Sequence, residues 1–258
     1  MAPTESINRE FLLHLADNAL ILGHRNSEWT GHGPILEQDI AISNIALDLI
    51  GQARNFYQYA AATINKEQEN NTHTEDSLAY LRDAREYRNF LMLELPKGDW
   101  AVSTLRQFLF SCWQKVLFQK LKESSDAQLA AIAGKSLKET NYHVRWSGEW
   151  VIRLGDGTEE SRRRMLAALS LLWPYTGEFF HPHKLIPASI DYAEFGEQWN
   201  NQVTHVFNEA TLASEFDAIK SSTTWMQSGG LDGRHTEHLG FLLAEMQFLQ
   251  RAYPGATW

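Results

Sequence analysis

Carboxylate, amide and imidazole side chains recur at helical intervals in three stretches of this chain. Asn44, Asp48, Gln52 and Asn55 follow one another at spacings of four, four and three. Glu86 and Asn89 stand one turn apart with Arg82, Arg85 and Arg88 nearby, and Glu139 and His143 are likewise one turn apart. In the interior of a helical bundle each charged group must be paired or bound to metal, because desolvating it alone is too costly. The donor types are those of a carboxylate-bridged di-iron centre. Such a centre takes a Glu from each of two helices and Glu-x-x-His from each of two others. Its carboxylates balance the charge of the irons, and its imidazoles leave open positions for O₂.

A scan for Glu-x-x-His leaves that donor set incomplete. Glu86-Tyr87-Arg88-Asn89 ends in asparagine, and Glu139-Thr140-Asn141-Tyr142 ends in tyrosine with His143 one residue late. The literal match, Glu178-Phe179-Phe180-His181, abuts Pro182, where a helix must already be ending. Antiparallel pairing would also set Glu139 opposite roughly Trp173–Thr176, several ångströms from the level of Glu178. Asp48, Glu86, Asn89, Glu139 and His143 are therefore read as vestigial ligand-like positions. They are expected to form buried hydrogen-bonded or ionic pairs with neighbours such as Arg85 and Arg145. No catalytic, cofactor-binding or metal-binding residue is assigned.

The remaining signals are weaker. His235-Thr236-Glu237-His238 reads as a cap or surface cluster, and the nine tryptophans as core or interface anchors. Gly-rich phosphate loops, Gly-x-Ser-x-Gly and Cys-His pairings do not occur. The single cysteine, Cys112, excludes an internal disulfide framework and cysteine-ligated metal centres. A formal net charge of -9 argues against nucleic acid. Arg162-Arg163-Arg164 reads as a solvated surface turn, with an anion contact to a substrate carrier's phosphate as the alternative. No apolar run approaches the roughly 18 residues of a membrane span. The opening Met1-Ala2-Pro3-Thr4-Glu5 lacks the features of a signal peptide, so a cytoplasmic location is expected.

The elements that must position these groups are helices. Apolar spacing predicts helices over about Asn8–His24 and Ile35–Ile64, the second about 45 Å long. Ser77 is the expected N-cap of a third helix ending before Pro96. Further helices are expected over Ala101–Glu123 and from an Asp126 cap to Leu154, stopped by Gly155. Thr158 should cap the next, kinked at Pro174. His181 to Asp191 reads as a loop, and shorter helices follow near Phe195–Phe207 and His235–Arg251. The fold class is all-α: one domain, residues 1–258, with a ferritin-like four-helix core and additional packed helices.

On these residues the chain resembles a known family. The string Asn44-Ile45-Ala46-Leu47-Asp48-Leu49-Ile50-Gly51-Gln52-Ala53-Arg54-Asn55-Phe56 is similar to the C subunits of bacterial phenylacetyl-CoA epoxidases. So are Glu237-His238-Leu239-Gly240 and Ala244 to Arg251, the Trp29–His32 loop, the Lys138–His143 segment and the carboxyl-terminal Trp258. The resemblance runs nearly end to end. It implies a non-catalytic structural subunit of ferritin-like fold without iron of its own. Its expected partners are a catalytic A-type subunit, which carries the di-iron centre and binds the CoA thioester, and other members of the complex including a reductase. Together they would form an NADPH-dependent phenylacetyl-CoA monooxygenase (epoxidase) in aerobic phenylacetate breakdown. Two alternatives stay open. One is an autonomous di-iron oxygenase with unusual ligands; the other is a metal-free bundle binding CoA thioesters through Arg162 to Arg164, or Lys135 and Lys138.

Overall fold

The computed structural model describes residues 8–69, 71–187 and 190–256. Met1 to Glu5 and Trp258, used above, lie outside them. Among the described residues there is no strand, and the fold is an all-α helical bundle, consistent with the ferritin-like class. None of these helices is long and apolar enough to cross a membrane. Contacts divide the chain into two compact units, Met1–Pro96 with Gly229–Trp258, and Lys97–Ser228. In chain-order numbering, the first unit holds α1 (Arg9–Ser27), α2 (Leu36–Gln68), α3 (Glu75–Tyr80), α4 (Leu91–Glu94), α10 (Glu237–Met246) and α11 (Phe248–Ala252). The second holds α5 (Trp100–Leu121), α6 (Ala127–Gly155), α7 (Glu159–Leu172), α8 (Tyr192–Glu209) and α9 (Ala213–Ser222).

In the first unit α1 packs along α2. Asn8 caps α1 by accepting from the Glu10 amide at 3.0 Å. Phe11, Leu12, Ala16, Ala19, Ile21 and Leu22 are all inaccessible, so α1 is a helix buried on every side. The predicted stripe of α2 is buried at Ile42, Ile45, Ala46, Leu49, Ala53, Phe56 and Ala60. That helix runs one turn further than expected, to Gln68.

The expected third helix forms only at its two ends, as α3 and α4. Thr74, not Ser77, is the N-cap of α3, and Ser77 completes a reciprocal capping box. The chain leaves α3 at Leu81, makes a 3-10 turn over Ala84–Glu86, and runs extended into the short α4. The reason is tertiary. Carbonyls that a helix would use are taken by side chains: Leu78 and Glu86 by Arg82, and Ala79 by the Tyr87 hydroxyl. Buried polar partners override local propensity here.

In the second unit α5 packs against α6, α7 and α8. Asp126 caps α6 by accepting from the Leu129 amide at 2.9 Å, and α6 ends at Gly155. Thr158 caps α7 with Ser161 in a capping box. At Pro174 the expected kink is instead a change of helix type. Pro has no amide to continue the ladder, and Trp173–Phe180 winds as a 3-10 helix. Aromatic side chains fill this unit: Trp173 stacks on Trp199 at 6.0 Å, and Phe179, Phe180 and Phe195 pack around them. The buried indole N–H groups of Trp113 and Trp199 donate to the carbonyls of Phe179 and Leu109. Helix α9, with Ala213, Phe216 and Ile219 at helical spacing, was not expected.

Candidate functional site

The charged core of the first unit is built on Asp17, an α1 residue that no ligand motif includes. Its carboxylate is inaccessible and accepts four hydrogen bonds. Arg82 Nη2 and Nη1 donate to it as a fork, the Tyr57 hydroxyl donates at 2.5 Å, and the Arg88 amide at 2.7 Å. Arg82 Nε donates to the Leu78 carbonyl at 2.6 Å, and the guanidinium lies 4.3 Å over the Tyr87 ring. Burial first, and then the Asp17 carboxylate, push the Tyr57 phenol well above its ordinary range, so it stays a donor. Burial opposes charge on Arg82, but Asp17, Tyr57 and Tyr87 together outweigh it and raise its pKa. Gln247 Nε2 closes the network, donating to the Tyr87 hydroxyl at 3.1 Å and the Arg82 carbonyl at 3.0 Å.

A second cluster adjoins it in sequence. Glu94, also inaccessible, accepts from Asn89 Nδ2 at 3.0 Å and from the Thr236 amide at 2.5 Å, and faces His235 Nδ1 at 2.9 Å. Thr236 is the N-cap of α10. Arg25 Nη2 donates to the Glu94 carbonyl at 2.7 Å and to the His238 carbonyl at 3.3 Å. On α1, His14 and Asn18 hold the Arg88 carbonyl and the Phe90 amide. The signal for all of this was His14, Asp17 and Asn18, polar residues at helical spacing on an otherwise apolar helix. Arg106 of α5, fully buried in what reads as an apolar helix, was missed in the same way.

The sequence-predicted positions scatter. On α2, Asn44 is exposed, Asp48 and Asn55 are half-buried and only Gln52 is buried, so the polar line is graded rather than interior. Glu86 is exposed on the 3-10 turn, where it accepts from the Asp83 amide at 2.7 Å. The expectation of a buried Glu86 is thus corrected: the turn points it to solvent and gives it a capping task. Asn89 is buried, but outside any helix and bonded to Glu94. Glu139 is half-buried and His143 inaccessible on α6, with Ser147 Oγ donating to the His143 carbonyl at 2.6 Å. Arg85 is exposed, and Arg145 lies 5.6 Å over the Tyr142 ring. Glu178 is buried while His181 is exposed past the end of the 3-10 helix, so the literal Glu-x-x-His is split. Among the described residues, no three His, Cys, Asp or Glu side chains are grouped to hold a metal ion. Glu86 and Asn89 in particular do not fit the donor set of a di-iron centre.

The family model described as Phenylacetic acid catabolic protein matches residues 3–258. The chain belongs to this family. It is 42% identical over 254 residues to the C subunit of the 1,2-phenylacetyl-CoA epoxidase of Escherichia coli (strain K12), an alignment covering 96% of this chain and 98% of that one.

In this member of the phenylacetic acid catabolic protein family, the basic run on α7 is already occupied. Arg162 Nη2 donates to Glu215 at 2.6 Å and to the Thr211 carbonyl at 2.8 Å. Arg163 and Arg164 both donate to Glu160, at 2.7–2.8 Å, and hold its carboxyl at about 2. The Ser214 hydroxyl, and after it Arg162, likewise depress Glu215 to about 2. A depressed carboxylate contributes stability that is complete above its unfolded value of about 4.3 and is lost as pH falls through its folded value. Acidification from about pH 4 to about pH 2 is therefore expected to loosen α9 from α7. Arg162→Gln should shrink that acid response in amide exchange at residues 213–222; an unchanged response would contradict the assignment.

Proposed function

We propose that this chain is a non-catalytic structural subunit of a multicomponent ring-1,2-phenylacetyl-CoA epoxidase of the cytoplasm. In this reading it pairs with a di-iron catalytic A-type subunit, and a reductase supplies electrons from NADPH. The observation that carries it is the end-to-end similarity to a chain named as the C subunit of such an epoxidase. The incomplete ligand motifs at Asn89 and Tyr142 support the non-catalytic part. Support for a partner comes from α2, where Leu36, Ile40 and Leu47 are 72%, 52% and 66% exposed along one face. Apolar stripes of this kind mark protein interfaces. An obligate interface typically buries about 2,000 Å² or more. Docking of a rigid bundle would hold the partner's helices in place and keep water from its reaction centre.

The test is co-expression with an A-type subunit of the same complex. A stoichiometric complex is expected, with phenylacetyl-CoA oxidation and iron found only when the A-type chain is present. Turnover by the isolated chain, or about two irons bound to it, would sink the proposal.

A further inference from the structure

The start of α10 is seated on its unit through the His235 ring, the Thr236 amide and the His238 carbonyl. His235 has a side chain 5% exposed, with Nδ1 2.9 Å from Glu94 Oε2 and Nε2 3.0 Å from the Tyr87 carbonyl oxygen. Both partners are acceptors: a carbonyl oxygen cannot donate, and neither can a carboxylate. A neutral imidazole has one N–H and satisfies only one of them. Its other nitrogen would then set a lone pair against an oxygen lone pair in a buried site, a costly arrangement. A doubly protonated ring donates to both. We infer that His235 is an imidazolium paired with Glu94, and that its proton latches the start of α10 onto the 84–94 segment.

The surroundings support that charge. From α1, Arg25 reaches the Glu94 carbonyl but is paired with Glu28 at 2.7 Å. Arg88 shares the Tyr87 carbonyl at 2.8 Å and is paired with Glu10 at 3.4 Å. Arg234, just before the ring in sequence, is paired with Asp232 at 3.0 Å, and Arg85 is exposed. Glu237 and His238 follow on α10. Each of these three paired arginines has a carboxylate other than Glu94, whose charge is balanced by the ring. Glu94 Oε1 also accepts the Thr236 amide, so the same carboxylate holds both the ring and the first turn of α10. Phe241 on α10, and Phe248 and Tyr253 beyond it, are each more than half exposed, so the latch fixes how this apolar face is presented. Without that second proton the ring keeps only one of its two bonds, and the start of the helix is held less firmly.

Amide hydrogen exchange on the full chain tests this, with rates corrected for intrinsic exchange. Protection at residues 237–246 is expected to fall about tenfold relative to α1 in His235→Gln, which offers one donor group. In Glu94→Gln the amide donates to an unprotonated Nδ1 but leaves Asn89 Nδ2 without its acceptor, so protection falls less and the ring carries a single proton. Nitrogen-15 shifts of the wild-type ring at about pH 6 should report two protonated nitrogens. A bare ring nitrogen at that pH, or the same ring shifts in wild type and Glu94→Gln, overturns the inference. Should either variant fail to fold, the wild-type ring shifts decide alone.

Discussion

Arg82→Met is expected to destabilise the first unit by about 3–5 kcal/mol, among the largest effects of any single substitution in the chain. The reason is what it leaves behind. Asp17 is fully buried and Arg82 supplies two of its four hydrogen bonds, the charge-assisted ones. Without the guanidinium, the carboxylate keeps only the Tyr57 hydroxyl and the Arg88 amide, neither of which balances its charge. The carbonyls of Leu78 and Glu86 lose a donor as well. Asp17→Leu should be comparably damaging, because it strands the guanidinium. The double substitution removes both charges and is expected to cost at least about 2 kcal/mol less than the sum of the two singles. It should not restore wild-type stability, since Tyr57 and the Arg88 amide remain without their acceptor at about 1–3 kcal/mol each. Urea unfolding of the four proteins measures all of this. A loss below about 1 kcal/mol for Arg82→Met, or strict additivity, would remove the pair from the centre of the unit.

That pair also marks the boundary of what sequence patterns can reveal. Helices α1, α2, α5, α6 and α7 are legible because their apolar residues repeat at threes and fours and their caps are local. Asp126 and Thr158 bond to amides within a turn, and a reader of the sequence can see both partners at once. Asp17 and Arg82 are separated by 65 residues, and no spacing rule connects them. The 77–95 segment has enough apolar residues to read as a helix. Its fate is decided by Asp17, Gln247 and Arg25, which reach it from distant parts of the chain. The apparent ligand pair fails in the same place. Glu86 and Asn89 are one turn apart only if the segment is a helix, and it is not. The polar residues that do sit in the interior, His14, Asp17 and Asn18, were visible on α1, but an apolar helix draws attention to its stripe rather than its exceptions. Family membership was legible for a different reason: the Asn44–Phe56 string is long enough to be specific without any geometry.

Gly233→Ala is expected to cost about 2–4 kcal/mol, from two sources that a control can separate. Gly233 has φ +73°, where an L side chain meets its own backbone at about 1–2 kcal/mol. A Cβ there would also collide with the Arg85 carbonyl oxygen and stand 3.0 Å from Arg88 Nη1. The carbonyl cannot withdraw easily, because Arg88 Nη1 donates to it at 2.8 Å and it belongs to the turn that presents Glu86 and Tyr87. Relieving the clash means moving the 229–234 turn outward, at about 1–3 kcal/mol for an overpacked site. That movement carries His235 away from Glu94, two residues along the chain from the new methyl. Gly31→Ala is the control, since Gly31 has φ +80° but nothing within 4 Å of a built Cβ. It should show the backbone strain alone. Thermal unfolding is expected to place Gly233→Ala about 5–15 °C below wild type and Gly31→Ala only a few degrees below it. Equal shifts for the two would mean that close approach to Arg85 contributes nothing. A further drop in the exchange protection of α10, seen in Gly233→Ala and absent in Gly31→Ala, would tie this turn to the seating of His235.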